Sequence, residues 1–154
     1  MSIGVRRATE EDCKLVFDWA NEPEVRNASF HTEKIEWLDH ISWYLQKLKN
    51  PDSLILIFDV DGKPAGQIRF DKNSEENYFL ISFLLDQKFR GKSLGRVLIE
   101  MGIAYLITQV QQAPFLCVGF VKKDNIASQR AFLKNEFLLV SESDVSLKFE
   151  KKVE

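Results

Sequence analysis

Cysteine is scarce: the 154 residues hold two, Cys13 and Cys117. Two thiols without a pattern make neither a disulfide framework nor a cysteine-based zinc site, and no metal is expected. No apolar run approaches the roughly 20 residues that a membrane helix needs. Residues 2–12 are polar and charged, unlike a secretion signal. The chain is therefore expected in the cytoplasm and away from the membrane. It also lacks an excess of either charge: 21 Lys and Arg face 23 Asp and Glu, a formal net charge of −2. Nothing general attracts a polyanion, so nucleic acid is not an expected partner. Repeats, linkers and low-complexity stretches are absent. A length of 154 residues suits one domain, 1–154, with a core of its own.

What is present is concentrated between residues 77 and 110. Residues 79–85 (FLISFLL) are apolar apart from Ser82, the right length for a strand covered on both faces. The basic stretch Lys88-Phe89-Arg90-Gly91-Lys92-Ser93-Leu94-Gly95-Arg96 follows. Behind it Leu94, Val97, Leu98, Met101, Ala104 and Tyr105 recur at helical spacing. A loop that feeds a helix start presents unpaired N–H groups and the positive end of the helix dipole. With two glycines and the charges of Lys88, Arg90, Lys92 and Arg96, it reads as a phosphate site. Gly91-Lys92-Ser93 resembles the end of a P-loop, but that pattern wants glycine where Asp86 stands.

The remaining chain reads in order as follows. Residues 3–8 form a strand. Thr9 caps a helix whose first turn carries Glu10, Glu11 and Asp12 and whose apolar face is Leu15, Val16 and Trp19. Pro23 ends that helix or starts a short second one. Thr32 caps a helix over residues 33–49, with Ile35, Leu38, Ile41, Leu45 and Leu48 on its apolar side and Trp37, Trp43 and Tyr44 mostly in the core. Strands at 54–60 and 64–71 flank the hairpin signal Asp61-Gly62. On the second of these, Gln67, Arg69 and Asp71 alternate with Ile68 and Phe70. A strand at 115–121, a helix over 125–135 capped by Asp124, and a hairpin of 137–140 with 145–149 complete the chain, leaving 151–154 as a solvated tail. This order predicts an α+β, or mixed α/β, sheet with antiparallel hairpins.

Arg90-Gly91-Lys92-Ser93-Leu94-Gly95, set between strand and helix, resembles the Arg/Gln-x-x-Gly-x-Gly/Ala motif of the GCN5-related N-acetyltransferases (GNAT). Ser93 departs from it, standing where the family usually has glycine. The order of elements is similar to the family's over nearly the whole chain. The resemblance implies a mostly antiparallel sheet of six or seven strands, helices on both faces, and a V-shaped split between the fourth and fifth strands that holds acetyl-CoA as cosubstrate. It implies cofactor contacts from Phe83, Leu84 and Leu85, from Arg90, Gly91, Lys92, Ser93, Leu94, Gly95 and Arg96, and from Asn125 and Ser128. These last two, with Phe132 and Phe137, resemble a second family motif.

Phe132 stands where many members carry the tyrosine that protonates the departing thiolate. Ser128, one helical turn earlier, is the candidate to hold a water or hydroxyl near the sulfur. The central strand has no Asp or Glu before Asp86, so the base is open among His31, His40 and an ordered water. The first half, with Trp19 to Arg26, Ser29-Phe30 and Gln67 to Asp71, resembles the enzymes that acetylate the 4-amino group of UDP-linked amino-dideoxysugars in pseudaminic and legionaminic acid biosynthesis. That likeness implies a nucleotide-sugar acceptor and substrate contacts from Asn21, Arg26, Gln67 and Arg69. The same segment is also similar to ribosomal-protein N-terminal acetyltransferases. A non-catalytic acetyl-CoA-binding module is the third possibility. A homodimer is common in the family.

Overall fold

The computed structural model describes residues 1–111 and 113–154. Seven strands form one sheet: β1 (Ile3–Arg7), β2 (Ser53–Val60), β3 (Lys63–Asn73), β4 (Tyr78–Leu85), β5 (Phe115–Lys122), β6 (Leu138–Glu142) and β7 (Ser146–Val153). Their spatial order is β1-β2-β3-β4-β5-β7-β6, and all pairings are antiparallel except β4 with β5. The expected mixed sheet is therefore present, with seven strands.

Helices cover both faces. On one lie α4 (Leu94–Gln109) and α5 (Ile126–Lys134). Leu98, Ile99, Ile103 and Leu106 of α4 and Phe132 of α5 join Leu56, Phe58, Ile68, Phe70 and Phe149 of the sheet in the larger core. On the other face lie α1 (Cys13–Ala20), α2 (Pro23–Ala28) and α3 (Trp37–Lys49). There Val16, Trp19 and Tyr44 pack on Ile55 and Ile57, with Trp43 and Leu84 at the margin. The alternation of β3 divides its side chains between the two cores. Ile68 and Phe70 lie beneath Gly102 of α4, while Arg69 stacks under Trp43 of α3.

Six local expectations are corrected. Thr9 introduces a 3-10 turn, Glu10–Asp12, rather than α1 itself. Asp12 closes that turn by accepting the Thr9 N–H at 2.8 Å while pairing with Arg6. The helix expected from residue 33 begins at Trp37, because Asn21 grips the Ile35 backbone on both sides, N–H and C=O, at 2.7 and 2.8 Å. Its Leu38 is exposed, and His40 and Tyr44 take the buried side. The buried face of α4 is turned toward Ile99, Gly102 and Ile103, leaving Ala104 exposed. Asn125, not Asp124, caps α5. The expected tail belongs to β7: residues 151–153 pair with residues 115–117 of β5, and Val153 is buried. Pro23 sits in the first turn of α2, where its missing N–H costs no helical bond. Asp61 (φ 50°) and Gly62 (φ 79°) make the hairpin turn with both dihedrals positive.

Candidate active site

The sheet opens between its two parallel strands. Pairing of β4 with β5 covers Tyr78 to Ile81 against Leu116 to Gly119 and stops there. Both strands continue, held only from outside: β4 by β3 as far as Leu85, and β5 by β7 as far as Lys122. The facing edges of residues 82–85 and 120–122 thus carry backbone groups with no strand opposite. An extended polar ligand can pair with such an edge as an added strand does. Phe83, Leu84 and Leu85 all lie on it.

At the end of the β4 arm the chain turns into the basic loop. Asp86 organises the turn, accepting the Lys88 N–H at 2.9 Å and the Trp19 indole N–H at 2.8 Å. Gly91 (φ 77°) and Ser93 (φ 60°) both adopt the left-handed conformation. Backbone of this kind before a helix start forms an anion-binding concavity, and α4 adds its unpaired first-turn N–H groups. The family's glycine preference at position 93 thus has a local cause, and this chain places a serine in strained backbone there. Leu94 is buried, so only its backbone can face a ligand. A Cβ at Gly95 would meet Ala131 and Phe83 at 3.5 and 3.6 Å, ordinary contact.

The four charges of the loop do not share one role. Arg90 donates to Glu22 at 2.5 Å, to Glu24 at 2.7 Å and to the Leu85 carbonyl at 2.9 Å. Its guanidinium therefore holds the loop against α2. Arg96 pairs with Glu100 one turn along α4. Lys88 and Lys92 are exposed and make no ion pair among the described residues, which leaves them as the free cations of the loop.

Helix α5 borders the gap on the same face. The Asn125 side-chain oxygen accepts the Ser128 N–H at 3.2 Å, which caps the helix. Ser128 is half-buried. Phe132 is only 2% exposed and sits at the fork itself. Its ring lies edge-on to Phe83 of β4 and Phe137, and stacks on Phe149 of β7 at 5.6 Å. The position where other members carry an acid is here part of the apolar wedge that begins the split.

On the opposite face the expected substrate residues separate. Asn21 holds Ile35, as above. Arg26 donates to the carbonyls of Ala20, His31 and Glu33 and to the Ser29 hydroxyl, and so shapes the loop over residues 29–36. Arg69 pairs with Asp71 at 2.8 Å and lies 5.0 Å from the Trp43 ring. Burial pushes the Asp71 carboxyl up, but Arg69, Ser53 and Lys47 more than offset this and hold it below the usual range. Gln67 differs. It is 5% exposed, opposite Leu84 of the open β4 arm, and its Oε1 has no hydrogen-bond partner. An unpartnered buried carbonyl costs about 1–3 kcal/mol, so a donor is missing there.

The two histidines are far apart in role. His31 lies exposed in the loop that Arg26 shapes. His40 is enclosed by Phe17, Trp37, Trp43 and Tyr44, with Nε2 2.9 Å from the Cys13 carbonyl. Burial holds its imidazole below the ordinary value despite that carbonyl. The ring is enclosed beneath α1, only 2% exposed and bonded to the Cys13 carbonyl, rather than facing the gap. Burial likewise pushes the Cys117 thiol up to about 12, so it is no nucleophile. Sequence reading missed Glu22, Glu24, Asp86 and Lys122. Only the acidic pair beside Pro23 carried a signal, two carboxylates at a helix start.

The comparisons agree with this geometry. The sequence profile of the Acetyltransferase (GNAT) family matches residues 13–137. Among curated proteins no sequence matches. Solved structures with the same fold include an aminoglycoside acetyltransferase in complex with coenzyme A and kanamycin (19% identity, 98% of this chain and 95% of that one, TM-score 0.81). A second is a spermidine N-acetyltransferase from Vibrio cholerae in complex with coenzyme A and spermine (13%, 97% and 95%, 0.84). A third is a ribosomal L7/L12 α-N-protein acetyltransferase in complex with coenzyme A (12%, 99% and 95%, 0.83). With its strands parted between β4 and β5, its left-handed loop at the start of α4 and this profile over most of its length, the chain belongs to the GNAT acetyltransferase family.

Proposed function

We propose that the protein transfers acetyl from acetyl-CoA to the primary amine of a small polar acceptor, specifically the 4-amino group of a UDP-linked amino-dideoxysugar. The observation that carries the transferase reading is the split sheet, whose free β4 edge leads directly into the left-handed loop at α4. The residues present fit an extended ligand ending in phosphates: the edge of residues 82–85 for its amide portion, and the backbone of residues 91–95 with Lys88 and Lys92 for its anionic end. Acetyl-CoA supplies the acetyl group as a thioester. The neutral amine adds to the carbonyl carbon, the C–S bond breaks, and the amine proton passes to water. A thiol with a pKa of about 8.5 leaves as thiolate without help, so an acid at position 132 is not required.

The acceptor reading rests on the sequence likeness of the first half and on Gln67, whose unpartnered oxygen suits an acceptor rich in N–H and O–H donors. An amino sugar has them. Aminoglycosides, the substrates named for one structural neighbour, belong to the same chemical class. One observation favours the second reading, a protein N-terminal amine. Arg26 and Arg69 are already partnered within the fold, so neither guanidinium is free for a nucleotide phosphate. The cytoplasm, where acetyl-CoA and such acceptors meet, is the compartment this activity fits.

Thiol release from acetyl-CoA should be followed with a UDP-4-amino-4,6-dideoxysugar, a ribosomal N-terminal peptide and spermine in parallel. Turnover with the sugar nucleotide at least tenfold more efficient than with the others is expected. Efficient turnover of the peptide alone would establish the second reading. CoA binding with no turnover of any amine would leave only a binding module.

A further inference from the structure

Helix α2 is tied to both arms of the split. At its start, Glu22 and Glu24 receive the Arg90 guanidinium, which also holds the carbonyl of Leu85, the last residue of β4. Near its end, the Asn27 carbonyl accepts the Lys122 ammonium at 2.8 Å, from the last residue of β5. The two anchors stand on opposite sides of one gap, beyond the point where β4 and β5 stop pairing. Between them none of the six residues of α2 is buried; Val25 is half-buried, and Arg26 ties the helix to the loop over residues 29–36 rather than to the sheet. Trp19, just ahead, adds a tie to the β4 side through Asp86.

We infer that α2 is a strap across the open end of the V, and that Arg90 and Lys122 are positioning residues that link occupancy of the gap to the order of the acceptor segment. This rests on acetyl-CoA lying in the gap. A helix held by charge-assisted bonds to two separate arms follows their separation. A ligand that pairs with the edges between the arms fixes that separation and so fixes both anchors at once. Opening of residues 22–29 then becomes rarer, because either the anchors must break or the ligand must let the arms move. The coupling is reciprocal, so an acceptor seated against α2 tightens the hold on the cosubstrate. Arg90 acts through Glu22 and Glu24 and not as a phosphate ligand, for its guanidinium already meets three acceptors.

The test is amide hydrogen exchange of the full chain with and without saturating CoA, together with calorimetric affinity for CoA. In the wild type, CoA is expected to slow exchange at 82–85 and, by about tenfold, at 22–29. In the double variant Glu22→Gln, Glu24→Gln, CoA should still bind and protect 82–85, with affinity lowered by no more than the roughly tenfold that the reciprocal coupling carries, while the CoA-induced protection at 22–29 disappears. Lys122→Met, which releases the other anchor, should give the same pattern and serves where the double variant is poorly folded. A purely structural tie would raise exchange at 22–29 equally with and without CoA, leaving the increment intact, and would overturn the inference. So would a wild type protected at 82–85 but not at 22–29. Absence of protection at 82–85, with no heat of binding, would instead overturn the placement of the cosubstrate, and the coupling with it.

Discussion

The para carbon of Phe132 points at Gly119, the last residue of β5 that pairs with β4; a Cβ on that glycine would overlap the ring. The para carbon is where tyrosine carries its hydroxyl. Restoring the family's usual residue by Phe132→Tyr therefore drives an O–H into the β5 backbone inside an apolar cluster. Overpacking of this kind costs about 1–3 kcal/mol. Urea unfolding should show that loss, with kcat unchanged or lower. A rise in kcat of tenfold or more in Phe132→Tyr would show that position 132 reaches the leaving sulfur after all.

Ser93 stands in left-handed backbone at φ 60°. An L-residue there costs about 1–2 kcal/mol, while glycine adds about 0.5–1 kcal/mol of unfolded-state entropy. Ser93→Gly should therefore be neutral to about 1.5 kcal/mol stabilising and should bind CoA at least as tightly. Ser93→Val, with a β-branched side chain at the same dihedral, should lose both stability and CoA affinity. Equal behaviour of the two variants in thermal melts and calorimetry would refute the role given to this backbone.

Gln67 keeps a buried oxygen with no partner. Gln67→Met retains length and removes that oxygen, so the free protein should gain about 1 kcal/mol. Acceptor KM should rise severalfold, with affinity for acetyl-CoA unchanged. A less stable variant would mean that the oxygen is satisfied within the protein, and an unchanged KM would remove Gln67 from the acceptor site.

His40 gives a pH signature of stability rather than of catalysis. Its folded-state pKa is lowered, first by burial, so the folded protein binds fewer protons than the unfolded chain. The stability from its neutral ring is complete above the unfolded value of about 6.5 and declines as pH falls from there through the folded value. Urea unfolding at pH 7.5 and 5.0 should show a larger loss for the wild type than for His40→Phe. The pH profile of kcat should be the same in both. A fall of kcat toward low pH that vanishes in the variant would make His40 a base.

How far the residues announce this fold depends on how local each cause is. The β4 strand, the loop and α4 follow from an apolar run, two glycines and a basic cluster within one stretch. Asp61-Gly62 announces its own turn. The start of α3 is not legible locally, because Asn21 and Arg26 hold residues 29–36 from outside. The full length of β7 is hidden because Lys151 interrupts the alternation of Leu147, Phe149 and Val153, its ammonium reaching the Asn135 carbonyl. The buried face of α4 is not legible from its own sequence, because that helix is apolar over most of its circumference and its packing against α5 and β3 selects the side. The site shows the same division. The basic loop is legible as a motif, but nothing near Arg90 in sequence reveals that its partners are Glu22 and Glu24.

The central claim is that the gap between β4 and β5 receives the cosubstrate. Calorimetric titration of the free protein with CoA tests it most directly. Saturable one-to-one binding is predicted, with apparent stability raised by about 2.7 kcal/mol at a hundredfold excess over Kd. Absence of both heat and stabilisation at millimolar CoA would contradict the reading of the open β4 edge and of the loop from Arg90 to Gly95.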